Sequence, residues 1–143
     1  MKEELDKKLV KAFPLLYGDR NAPMQSTAMC WGFACSDGWF DIIWDLSSKL
    51  EPLIQKFIDD NQDTELYPKA SQVKEKYGGL RFYMSCGTDE IFGLISEAET
   101  LSYKTCEECG KPGEERGGGW IYTHCDSCHE NWDGIRSKRW EEK

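Results

Sequence analysis

The spacing of apolar residues along the chain predicts a set of helices and one β-hairpin. Apolar residues recur at helical spacing near the start and predict a helix over residues 2–13, where Pro14 ends the pattern. A wider apolar stripe over residues 40–57 predicts the longest helix, which Pro52 either kinks or divides by starting a second helix. Because these side chains repeat at helical spacing, we interpret them, aromatic residues included, as core residues.

The segment between these two helices has the features of a loop followed by a short strand. Residues 18–30 contain Gly, Asn, Pro and Ser without periodicity, which predicts a loop. Trp31 and Phe33 alternate with a glycine, as in a short strand. Ser36 or Asp37 is expected to cap the following helix by accepting a hydrogen bond from a backbone N–H.

The stretch SQVKEKYGGLRFYMS, residues 71–85, predicts a β-hairpin. Gly78 and Gly79 supply the positive φ angles of a two-residue turn, so Tyr77 is expected to pair with Leu80. One face is then mostly apolar and is predicted to meet the core: Val73, Glu75, Tyr77, Leu80, Phe82 and Met84. The other face is basic and is predicted to meet solvent: Lys74, Lys76, Arg81 and Tyr83.

A last apolar stripe, capped by Thr88, predicts a helix that leads the chain directly to Cys106. This order of elements predicts an α+β fold: a small helical body with a β-hairpin sheet and a C-terminal zinc ribbon. We expect the body to span residues 1–104, the zinc ribbon residues 105–130 and a charged tail residues 131–143.

Acidic residues outnumber basic residues. The 18 Lys and Arg against 26 Asp and Glu give a net charge of −8, which argues against a general affinity for the nucleic-acid backbone. Residues 37–66 and residues 85–115 each carry eight acids and two lysines, a net charge of −6. Between them, residues 67–84 hold four cations against one acid, a net charge of +3. The charged start and the lack of a long apolar run lead us to expect a cytoplasmic protein without a membrane partner.

Four cysteines near the C-terminus have the spacing of a metal site. They form two CxxC pairs with fifteen residues between the pairs. Because four thiolates on two tight turns satisfy tetrahedral zinc, we predict a structural zinc ion on all four: Cys106, Cys109, Cys125 and Cys128. The remaining cysteines lack a partner at metal-ligand spacing, and we interpret them as small buried apolar residues: Cys30, Cys35 and Cys86.

The only two histidines, His124 and His129, both flank the second pair. Either one is an alternative to a cysteine as zinc ligand, since Cys₃His sets also occur. A full set of protein ligands leaves no position for water, and no histidine remains for nucleophilic catalysis, so we expect no enzymatic activity. HCDSCHENW resembles the closing half of HNH nucleases, but the stretch between Cys109 and Cys125 lacks the catalytic histidines that this resemblance implies, except for His124 at its end.

Several motifs together resemble a family of small zinc-ribbon proteins encoded by tailed phages and prophages. In chain order they are WGFACSDGWFDII, QVKEKYGGLRFY, the helix ISEAETLS and the two cysteine pairs. The resemblance covers roughly residues 5–130 and implies an origin and an architecture, without an assigned activity. Relatives can carry CxxH at the second pair, whereas this chain has Cys128 followed by His129.

Three hypotheses of function follow from these patterns. The first is a non-enzymatic binding protein whose acidic surface meets a host protein, in counter-defence or host takeover, as a phage origin implies. The second is a binder of a nucleotide or another anionic ligand, because the basic hairpin face combines three cations with an aromatic ring. The third is a nucleic-acid-binding zinc ribbon, against which the net charge argues.

Overall fold

The fold is taken from a computed structural model, in which residues 1–62 and 66–132 are described. The predicted tail over residues 131–143 lies outside them apart from its first two residues. The helices of this part are α1 (Glu3–Ala12), α2 (Phe40–Asn61), α3 (Asp89–Ser102) and α4 (Asp126–Glu130). Its strands are β1 (Phe33–Ala34), β2 (Ala70–Lys76), β3 (Gly79–Met84), β4 (Glu114–Arg116) and β5 (Tyr122–His124).

Two small sheets organise the chain. In the first, β2 lies between β1, which is parallel to it, and β3, which is antiparallel. The second sheet is the antiparallel pair β4–β5, which precedes α4. The predicted α+β class is confirmed. Within the described ranges, no helix combines the length and the apolar character that crossing a membrane requires.

The hairpin turn differs from the prediction by one residue. The turn residues are Tyr77 and Gly78, both with positive φ (54° and 80°), and Lys76 pairs with Gly79. The predicted pairing of Tyr77 with Leu80 is therefore wrong. Gly79 belongs to the strand because the ring of Tyr103 fills the place of its missing side chain, with Cε1 2.7 Å from where a Cβ would lie. The other residues keep their predicted faces, since a shift of two in the pairing preserves the alternation. The predicted place of Tyr77 on the core face is wrong, because Tyr77 lies in the turn and is exposed.

The core lies between the first sheet and the helices. α2 packs against α1 and α3, and α3 packs against β3. α2 continues through Pro52 as one helix, because residues on both sides are anchored in the core and no second helix begins there. The largest fully buried apolar side chains are Trp39, Leu9, Leu16, Met29, Ile43, Leu50, Ile54, Leu80 and Ile91.

The segment before α2 connects to the first helix. Asp37 Oδ1 accepts a hydrogen bond from the backbone N–H of Lys2 (2.8 Å), at the start of α1, so it caps that helix instead of α2. A 3₁₀ turn over Asp37–Trp39 leads into α2 without a side-chain cap. Trp31 lies in an earlier 3₁₀ turn and is exposed, so its predicted place in a strand is wrong. The predicted cap of α3 is confirmed, since Thr88 Oγ1 accepts from the N–H of Ile91 (3.3 Å).

Candidate metal centre

The first cysteine pair lies on a tight turn directly after α3. The N–H of Cys106 donates to the carbonyl of Lys111 (2.7 Å), and the N–H of Gly110 donates to the carbonyl of Cys106 (2.9 Å). Gly110 has a φ of 81°, a conformation that glycine adopts without steric cost. The turn therefore holds Cys106 and Cys109 close together on one loop.

The second cysteine pair lies at the start of a helix. The antiparallel strands β4 and β5 return the chain to the first pair, and Cys125 then forms the N-cap of α4. Its sulfur accepts a hydrogen bond from the N–H of Cys128 (3.4 Å), which lies in the first turn. Residues 105–130, called the metal unit below, thus consist of a turn, a hairpin and a short helix.

The four sulfur atoms are close enough to bind one metal ion. The Sγ atoms of all four cysteines lie within 4.8 Å of one another, and those of Cys109 and Cys125 are 3.6 Å apart. A tetrahedral ion with metal–sulfur bonds of about 2.3 Å requires sulfur atoms about 3.8 Å apart, so the donor set fits such an ion. The structure therefore confirms that the four predicted ligands come together.

The surroundings of the cysteine thiols shift their pKa values in opposite directions. The N–H of Cys128 lowers the pKa of the Cys125 thiol to about 7, because the hydrogen bond stabilises its thiolate. Burial raises the pKa of Cys128 and of Cys109, since desolvation disfavours the charged form. Of the second pair, Cys125 is therefore the thiol whose surroundings favour the thiolate.

Neither histidine belongs to the sulfur group. His124 is fully buried, and neither of its ring nitrogens has a hydrogen-bond partner among the described residues. Its ring packs against Tyr122 and Trp132, at centroid distances of 4.5 and 4.6 Å. Burial lowers the pKa of His124 to about 4, which keeps the ring neutral. His124 acts as a packing residue here, and His129 lies on the exposed side of α4.

The metal unit is hydrogen-bonded to the body through the turn before α2. The N–H of Gly38 donates to the carbonyl of Glu107 (2.7 Å), and the indole N–H of Trp39 donates to the carbonyl of Thr105 (2.9 Å). The buried carboxylate of Glu107 accepts from the N–H of Ser36 (2.8 Å). Glu107 therefore connects the metal unit to the body through both its backbone carbonyl and its carboxylate.

A second connection joins the hairpin of the body to β5. The hydroxyl of Thr123, which is fully buried, donates to the carbonyl of Gly78 (2.7 Å) in the β2–β3 turn. Sequence reasoning missed Thr123, Gly38 and Trp39 as contacts of the metal unit. Nothing in the local sequence signals these contacts, because each joins residues that are far apart in the chain.

Replacing Thr123 with valine is expected to lower the free energy of unfolding by about 1–2 kcal/mol. Valine keeps the shape of the side chain but leaves the buried carbonyl of Gly78 without this donor. Urea unfolding of the metal-loaded protein measures the change. Thr100→Val is the matched control, because its exposed hydroxyl bonds only within α3. An equal effect of the two substitutions would contradict a specific role of the Thr123 hydroxyl.

The outer face of the β2–β3 hairpin carries the four predicted ligand-binding residues: Lys74, Lys76, Arg81 and Tyr83. Lys74 pairs directly with Arg81, so their side chains lie on the same face. The Nζ of Lys74 lies 6.0 Å from the ring centroid of Tyr83. Lys74 and Lys76 form no ion pair with any other described residue. The structure therefore brings the predicted set together on one surface.

Arg81 differs from the two lysines because it is not a free cation. Its guanidinium forms an ion pair with Glu99 on α3 and also donates to the hydroxyl of Tyr103 (3.1 Å). Sequence reasoning missed Tyr103 because the residue lies just beyond α3, where the helical pattern gives no information about the sheet. The face therefore presents two lysines without acidic partners and two partly exposed tyrosines, Tyr83 and Tyr103.

The remaining cysteines lie away from the sulfur group. Cys35 is buried, and burial raises its pKa to about 12, which agrees with the prediction of an apolar role. Cys30 is half-buried, and its Sγ bonds to the carbonyl of Thr27. Cys86 is exposed, so the prediction that it is buried is wrong. This residue lies in the surface segment between β3 and α3.

No family model, curated protein or solved structure matches this chain. The resemblance to phage-encoded zinc proteins therefore stays a prediction from sequence motifs.

Proposed function

We propose that the protein is a non-enzymatic binding protein of phage type that acts on a host protein and is stabilised by structural zinc. Four cysteine sulfurs at tetrahedral spacing favour zinc, because soft thiolates in this geometry are its usual structural ligands. Four protein ligands would leave no coordination position for water or substrate. His124 is packed between aromatic rings, which further supports a structural role for the centre.

The observation that carries the proposal is the exposure of Trp120 on the metal unit. This side chain is 76% exposed and lies on the glycine-rich loop between β4 and β5. Gly117 begins the loop with a φ of 94°, and a Cβ there would collide with the carbonyl oxygen of Trp120. Tryptophan is enriched among the residues that dominate the binding energy of protein interfaces. An exposed tryptophan on a shaped loop therefore supports a protein-binding surface.

The turn of the body hairpin extends this surface. A Cβ on Gly78 would lie 3.3 Å from Cγ2 of Ile121, so the two loops lie side by side. Tyr77, beside Gly78, is 66% exposed and has a positive φ, which costs a non-glycine residue about 1–2 kcal/mol. The Trp120 surface, defined as Tyr77, Trp120 and Ile121, thus combines exposed aromatic rings from two neighbouring loops.

Trp120→Ala is expected to weaken binding to a captured host protein by at least about thirtyfold, the effect of an interface hot spot. The tagged protein is first cross-linked in bacterial lysate, and each recovered candidate is then purified and titrated by calorimetry. Trp31→Ala is the matched control, because Trp31 is equally exposed (72%) but lies in the body before β1. An unchanged affinity of Trp120→Ala for the host protein, or an equal loss of affinity in both variants, would contradict the proposed surface. So would the failure of every purified candidate to bind at moderate salt.

A further inference from the structure

We propose that the outer face of the three-stranded sheet binds single-stranded nucleic acid. The surface, called the sheet strip below, consists of five residues: Lys74, Lys76, Arg81, Tyr83 and Tyr103. It shares no residue with the Trp120 surface, although the two meet where the Nζ of Lys76 lies 5.6 Å from the ring centroid of Tyr77. The proposal goes beyond the protein-binding function and does not depend on it. Its lysines contact phosphates, and its tyrosine rings stack on bases.

The pairing of β2 with β3 places four of the five residues on one face, and Tyr103 joins them from beyond α3. Lys74 is opposite Arg81 and Lys76 is opposite Gly79, and directly paired residues point to the same side of a sheet. Tyr103 reaches that side because its ring occupies the space of the absent Gly79 side chain. The bond from Arg81 to the Tyr103 hydroxyl holds the ring in place. Arg81 is therefore a positioning residue, and the lysines are the cations available to a ligand.

Charge complementarity favours a phosphate ligand at this position. Four of its five residues lie in the stretch 67–84, which has a net charge of +3 in a chain of net charge −8. Lys74 and Lys76 are two residues apart on β2, about 7 Å along the strand, and have no acidic partner in the described ranges. Glu99 is occupied by Arg81. Two ammonium groups at this spacing can each neutralise one phosphate of an extended strand.

The spacing of the two rings favours a strand over a single nucleotide. Tyr103 covers Gly79, and Tyr83 lies four residues further along β3, a distance of about 13 Å. A single nucleotide reaches one ring, whereas a strand of several nucleotides reaches both. Aromatic rings on a sheet stack on the bases of single strands, and each stacked base adds affinity. A duplex hides its base faces from such rings, because its bases are stacked on one another.

Fluorescence anisotropy with a labelled thymidine strand of about ten nucleotides tests the proposal, using zinc-loaded full-length protein. We expect binding that weakens roughly sevenfold between about 50 mM and about 200 mM salt, the dependence for two phosphate contacts on a single strand. Tyr83→Ala is expected to weaken binding about tenfold, the contribution of one stacked base, and Tyr83→Trp to preserve it.

Matched variants separate the strip from general charge and aromatic effects. The double variant Lys74→Gln with Lys76→Gln is expected to remove the salt dependence of binding. The control double variant, Lys8→Gln with Lys11→Gln on α1, changes the net charge by the same amount and is expected to leave binding unchanged. Phe92→Ala removes an exposed ring on α3 and is expected to have no effect.

Three outcomes with the wild-type protein would overturn the proposal. They are no binding of the strand at about 100 µM protein, equal binding of thymidine monophosphate and the strand, and equal binding of a duplex. Equal loss of affinity in the two lysine pairs would also overturn it, since binding would then reflect charge alone. None of these outcomes bears on the Trp120 surface, which the host-protein experiment tests separately.

Discussion

Removing zinc from the protein is expected to unfold residues 105–130 while the helices of the body stay folded. Structural zinc contributes about 10–16 kcal/mol to the folding of small finger peptides. The metal unit has few apolar side chains of its own, so we expect the metal to supply most of its ordering energy, whereas the body has a separate buried core. Cys109→Ser and Cys125→Ser each remove one of the four sulfur ligands and are expected to release the zinc.

Elemental analysis and hydrogen exchange together measure this result. We expect one zinc ion per chain in the wild-type protein, and fast exchange of the amides of the metal unit after zinc is removed. The amides of α2 are expected to remain protected, although the body loses the hydrogen bonds that Gly38 and Trp39 make to the metal unit. Cys86→Ser is the matched control, because this cysteine is exposed and outside the sulfur group. Equal protection of the metal unit with and without zinc would show that the ion is not structural.

Replacing Gly38 with alanine is expected to lower the free energy of unfolding by about 3 kcal/mol. A Cβ at this position would lie 2.6 Å from the carbonyl carbon of Glu107 and would also collide with the carbonyl oxygen of Cys106. Both atoms belong to the backbone of the metal unit, so neither can move away as a flexible side chain can. The substitution is therefore expected to separate the metal unit from the body and to break the bond from Gly38 to Glu107.

Urea unfolding of zinc-loaded protein measures the effect of Gly38→Ala. Gly93→Ala is the control, because Gly93 lies in α3 and an added Cβ there would meet nothing within 4 Å beyond the backbone of its own helix. This control is expected to raise stability by about 0.5–1 kcal/mol, since alanine favours the helix. A Gly38→Ala protein as stable as the wild type would show that the two parts do not pack as described.

The features that depend on local pattern were predictable from the sequence. The spacing of the two CxxC pairs predicted the four sulfur ligands, and the apolar stripes predicted α1, α2 and α3. The alternation along β2 and β3 predicted which side chains share the basic face. These predictions succeed because each depends on residues that are close in the chain or on a spacing that the metal itself imposes.

The features that depend on contacts between distant segments were not predictable. The hairpin turn moves to Tyr77 and Gly78 because Tyr103, from beyond α3, needs the space at Gly79. Asp37 caps α1 because the fold brings the chain start beside it, which its own neighbourhood does not reveal. The ion pair of Arg81 with a residue of α3 likewise reduces a predicted cation to a positioning role.

X-ray absorption at the zinc edge tests the central claim, a closed four-thiolate zinc site, most directly. The geometry of the sulfur group predicts four sulfur neighbours at about 2.3 Å and no lighter ligand. A nitrogen or oxygen neighbour at about 2.0–2.2 Å would contradict it. Such a result would mean that a histidine or a water molecule takes one position, and the structural role assigned to the metal would then fail.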